Sequence, residues 1–89
     1  MEKAVFMSIL EQIVEGFEDL TFKAAMASAK SAGDVGQLIA LPSELQTRIF
    51  LAHGLDPQTA SASFKAAGRE FGLLPEAAPW LGRMKAALQ

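Results

Sequence analysis

His53 is the only histidine in a chain of 89 residues that has no cysteine and no tyrosine. A general base needs an orienting partner or a perturbed environment, and no acid stands at helical spacing on the His53 face. One histidine cannot assemble a zinc site by itself. Near the end of a helical stretch, it is instead placed against the negative carboxyl-end dipole. Glu11, Glu15, Glu18 and Asp19 are the densest group of acids. They lack the glycine-turned oxygen loop that calcium sites use, so they read as a wet helix face. No P-loop, Gly-x-Gly-x-x-Gly or Gly-x-Ser-x-Gly occurs. No catalytic, metal-ligating or cofactor-binding residue is assigned, and the expectation is a protein that is not an enzyme and carries no cofactor.

Charge narrows the partners. The net charge is −2. Residues 1–23 carry five acids and two bases, residues 24–63 three and two, and residues 64–89 two acids and four bases. A local +2 is small for a nucleic-acid footprint. Lys3 followed by Ala4–Leu10 has the outline of a signal peptide, but Glu11, Gln12 and Glu15 interrupt it early. No apolar run approaches a membrane span, so a soluble, cytoplasmic protein without membrane contact is expected. The hydrophobic fraction is 51%, but 16 of those residues are alanine, leaving a thin bulky core for a chain this size. Burying part of the surface in a homodimer is the corresponding expectation.

These residues must be positioned by helices. The stretch Leu41–Leu55 organises the reading: Leu41, Leu45, Ile49 and Ala52 recur at helical spacing, and Phe50 and Leu51 widen the stripe. Such a helix needs cover from more than one side and is expected at the centre of the fold. Pro42 suits its first turn, and Gly54 suits the left-handed stop after it. Gln37–Ala40 is expected as a short helical turn before it, and Ser31–Gly36 as a loop.

Residues 2–31 are helical by pattern, with Phe6, Leu10, Ile13, Phe17, Leu20 and Ala24 in steps of four and three. Gly16 weakens the helix interior, and Glu18-Asp19-Leu20-Thr21 offers a fresh cap. One bent helix and two successive helices both fit. Val5, Ile9 and Val14 flank this seam and make the apolar face broader than one partner helix needs, so Phe6, Leu10, Ile13, Phe17 and Leu20 are the expected self-association surface. Gly16 would then let two copies approach. Phe22–Ala32 is rich in alanine and serine and contributes little area per residue.

Asp56-Pro57 is a strong helix start, and Ala60, Phe64, Ala67 and Phe71 form one stripe that ends at Gly72. Leu73–Glu76 is a turn. A last helix carries Trp80, Leu81, Met84 and Leu88, with Pro79 in its first turn. No strand alternation or hairpin turn appears. The fold expected is all-α, a single domain at 1–89. Four to six helices form a small bundle: a long N-terminal helix or helix pair at 1–32, and a compact helical part at 37–88.

Two family resemblances bear on function. Ala66-Ala67-Gly68-Arg69-Glu70-Phe71-Gly72-Leu73 followed by Leu74–Met84 resembles a bacterial helix-turn-helix over about twenty residues. The resemblance implies helix-turn-helix-like geometry at 57–88, with Leu74, Pro75, Glu76, Pro79, Trp80 and Arg83 toward DNA. Of these only Arg83 is a good reader of base edges. Leu41-Pro42, Glu44-Leu45, Arg48-Ile49-Phe50 and Leu55-Asp56-Pro57, with Pro79-Trp80-Leu81, are similar to the F-box. That implies docking of residues 41–81 to a ubiquitin-ligase adaptor. The chain departs by two extra residues before Leu55 and lacks the F-box's middle cluster.

The function expected from these residues is a small regulatory or protein–protein interaction factor, homodimeric, with another protein as partner. A helix-turn-helix transcriptional regulator is the alternative and the F-box-like module a third reading. Phe22, Arg69, Trp80, Arg83 and Lys85 are the candidate contacts to a partner or to DNA.

Overall fold

In the computed structural model, which describes residues 1–88, the chain forms five helices. They are α1 (Lys3–Glu18), α2 (Leu20–Ala32), α3 (Val35–Ala52), α4 (Pro57–Phe71) and α5 (Ala78–Ala87). The all-helical small bundle expected from the pattern is what forms.

α1 is the element around which the others are arranged. Its apolar residues fall in two rows at four-residue steps, and both rows are buried. Ile9, Ile13 and Phe17 meet Leu45, Ile49 and Phe50 of α3 and Ala60 of α4. Phe6, Leu10 and Val14 meet Ala67 of α4 and Ala77, with Trp80, Leu81 and Met84 packed alongside. All six α1 side chains have 0% exposure. Phe64 belongs to the edge of both clusters and joins them through its ring, 5.0 Å from Phe6 and 6.0 Å from Phe50 between centroids.

This corrects the expectation that the Leu41–Leu55 helix is central. Only Leu45, Ile49 and Phe50 of α3 are buried, and Leu51 is 57% exposed. Phe50 of that helix also meets Phe64 of α4, but Ile39 and Leu51 stay exposed, whereas both apolar rows of α1 are fully buried.

Local chemistry sets the helix ends. Asp19 breaks the N-terminal pattern into two helices: its carboxylate accepts from the backbone N–H groups of Thr21 (3.0 Å) and Phe22 (3.3 Å). The loop expected over Ser31–Gly36 shrinks to Gly33 and Asp34. Gly33 takes φ 67° to close α2, and Asp34 caps α3 by accepting from Gln37 N–H at 3.1 Å. α3 therefore starts at Val35, and Pro42 lies inside it instead of in its first turn. With no N–H, Pro42 leaves the Leu38 carbonyl without its helical partner. A good aspartate cap and a continuous apolar row outweigh that loss. Asp56 caps α4 through Thr59 N–H at 3.1 Å, with Pro57 at the helix start, and Gly54 adopts φ 72° after α3.

Two glycines mark close approaches. A Cβ on Gly16 would lie 2.8 Å from Leu45 Cδ2, so this glycine admits α3 against α1 within one molecule. Gly72 follows α4 at φ −64°, a conformation open to any residue. Its constraint is space: a Cβ there would press on the Gly68 carbonyl oxygen and come within 3.1 Å of Leu81 Cδ1.

Candidate functional site

The seam expected to pair two copies is occupied within the monomer. Phe6, Leu10, Ile13 and Phe17 have no exposed surface, and of that set only Leu20 is open, at 82%. A self-association surface built from these residues is therefore corrected by the structure, because α3, α4 and α5 converge on α1 from three directions. The other exposed large apolar side chains away from the termini (Val35, Ile39, Leu51 and Leu73) sit on α3 and on the α4–α5 turn.

The residues assigned to partner or DNA contact are dispersed. Arg69 on α4 and Lys85 on α5 are exposed. Arg83 is engaged: Nε and Nη2 donate to Glu18 Oε2 and Oε1 at 3.1 and 2.5 Å, a bidentate pair joining α5 to the end of α1. Its guanidinium also lies 4.4 Å from the centroid of the Trp80 ring, and Trp80 itself packs on the α1 cluster. The one good base reader in the helix-turn-helix resemblance is thus engaged in an ion pair between α5 and α1. In that stretch α4 and α5 both rest on α1, and no Cα of one lies within 8 Å of a Cα of the other.

The hydrogen bond from Arg83 is the main cause holding the Glu18 carboxyl below its ordinary value of 4.5, opposed by partial desolvation and aided by the charges of Arg83 and Lys23. A carboxyl that binds its proton less readily when folded stabilises the fold above its unfolded pKa. That contribution is lost as pH falls through the lower folded value. Arg83→Gln is expected to move the Glu18 titration back up toward 4.5, read by NMR of the side-chain carboxyl carbon. An unchanged Glu18 titration would show that the pair does not persist in solution.

His53 ends α3, and its Nε2 lies 3.3 Å from Gln12 Oε1. In the Nε2-protonated tautomer it donates there, and among the described residues no carboxylate orients the ring. Among the described residues no three histidine, aspartate or glutamate side chains are grouped as a metal ion would require.

A groove opens where the α1 core does not reach. α2 buries only Ala29, and α3 buries nothing before Leu45, so the far half of this helical pair packs chiefly on itself. Phe22, Met26 and Ala27 of α2, Leu38 and Pro42 of α3, and Ala87 and Leu88 at the end of α5 line a trough of about 560 Å³, partly open to solvent. Among the described residues its charged lining groups are Lys23 and Lys30, and no carboxylate side chain lines it. Phe22, one of the contacts expected from sequence, stands at its inner end, stacked on Phe17 with 5.1 Å between centroids. Lys23, Met26, Lys30 and Leu38 were missed. The signal was present in the 3- and 4-residue steps of Lys23, Met26 and Lys30, but the alanine content of α2 obscured it.

No helix of the described residues is long and apolar enough to cross a membrane. Comparison of the chain with protein-family models, curated proteins and solved structures gave no match.

Proposed function

We propose that this chain is a small non-enzymatic regulatory factor that works by binding another protein in the trough between α2, α3 and the end of α5. The single observation that carries this reading is a concave apolar floor, edged by two lysines, that the α1 core leaves uncovered. Phe22, Met26, Leu38 and Pro42 remain partly accessible there, and Leu88 is 45% exposed. Apolar grooves rimmed by polar groups are a usual form of protein-docking site. The expected homodimer has lost the α1 surface that motivated it, and the reading does not depend on it.

The DNA-binding and adaptor-docking alternatives gain no support. Arg83 is held by Glu18, and Pro42, which should open the F-box-like helix, lies within α3.

The test is a photo-crosslinking residue at Ala27 on the trough, compared with one at Ala66 on the exposed face of α4. Crosslinks to a defined protein partner are expected from position 27 and not from 66. Adding Met26→Glu should abolish them without loss of helix content. Equal crosslinking at the two positions, or none at 27, would overturn the reading.

A further inference from the structure

We infer that the trough receives an amphipathic helix from a partner protein, with acidic residues two turns apart along one flank. The inference rests on the protein-binding reading above and names the chemistry of its occupant. Lys23 and Lys30 are seven residues apart on α2, about 10.5 Å along a helix rising 1.5 Å per residue. Both lie on the same flank, beside the apolar floor of Phe22, Met26, Leu38 and Pro42. Both are exposed, and among the described residues neither has a carboxylate within 4.0 Å. An apolar trough with charge of one sign on its edge is complementary to a helix that lays its apolar face inward. Carboxylates at i and i+7 on that helix would meet the two ammonium groups.

Two other occupants fit less well. Sites for small amphiphiles enclose most of the ligand surface, and this trough is partly open to solvent. A two-fold contact between copies through the trough would set Lys23 and Lys30 against the same lysines. This chain also has no acidic helix to offer its own copy. Only α1 carries acids seven apart, Glu11 and Glu18, and its apolar face is buried while Glu18 is held by Arg83.

The experiment uses the full chain and a capped synthetic peptide of about 15 residues, long enough to hold a helix. Leucines occupy one face of the peptide, and two glutamates stand seven positions apart on its flank. Binding is followed by fluorescence anisotropy, beside a peptide with lysines replacing the glutamates, dodecanoate, and vesicles of phosphatidylcholine with phosphatidylglycerol.

The acidic peptide should bind and the lysine peptide should not. Lys23→Glu with Lys30→Glu should weaken the acidic peptide about tenfold, since two exposed attractions become repulsions, and should admit the lysine peptide. Lys23→Gln with Lys30→Gln should give an intermediate loss, and circular dichroism should show both variants folded. Several outcomes would overturn the inference: equal binding by wild type and the glutamate variant, no peptide binding, or lysine-dependent binding of dodecanoate or vesicles alone. A dimer that dissociates when the lysines are reversed would also do so. If position 27 still crosslinks a partner lacking an acidic amphipathic helix, this inference fails while the protein-binding reading stands.

Discussion

Ile13→Glu is expected to yield an unfolded chain at every concentration. Ile13 has no exposed surface and packs between α1 and α3. A carboxylate there would lose its hydration with no cation near it, an effective penalty of several kcal/mol even after relaxation. Lost apolar burial adds about 2 kcal/mol. A domain of this size is stable by roughly 5–10 kcal/mol, so little would remain. Circular dichroism at 222 nm reads the loss, with light scattering behind size exclusion at low and high concentration. A helical, monodisperse Ile13→Glu monomer would mean that Ile13 lies on an interface between copies and not in this core. Glu15→Lys, on the exposed side of the same helix, should change stability by less than about 0.5 kcal/mol.

The second large effect is at Ile49. Replacing it with alanine should cost about 2–5 kcal/mol, the range for truncating buried aliphatic side chains. Ile49 is 9% exposed, within the cluster of Ile9, Ile13, Phe17 and Leu45, and neighbours held by three helices cannot readily collapse into the gap. With a urea slope of about 1 kcal/mol per molar for a small protein, the midpoint should fall by about 2 M or more. Leu51→Ala is the control. Leu51 is two residues away in the same apolar run but 57% exposed, and its midpoint should hardly move. If the two variants behave alike, α3 is not oriented as described.

The contrast between Ile49 and Leu51 bears on function as well as stability. Where α1 supplies a partner surface, as beneath Ile49, the apolar row of α3 is closed. Toward its N-terminus α3 has α2 and the end of α5 beside it but not α1, and there Leu38 and Pro42 become the wall of the trough. The candidate site is the part of the helical pair that extends past its support. Its lysines line an edge on which no described residue places a carboxylate side chain.

The helical class, the Asp56-Pro57 start and the Gly54 stop were legible because propensity, caps and a φ restriction act over a few residues. The break near Asp19 was legible for the same reason, although only the observed cap decided between one helix and two. The tertiary structure decided that α1 and not α3 is the centre, since a row of apolar residues does not say how many neighbours will share it. It also decided that Pro42 could sit inside a helix, because Asp34 and Leu45 fix α3 on either side of it. Arg83 looked like a free reader of DNA until the fold brought Glu18, 65 residues earlier, to its side. The seam from Phe6 to Phe17 looked like surplus until three helices closed on it. Local signals carry their own partners in the sequence, whereas burial and ion pairing depend on which faces meet.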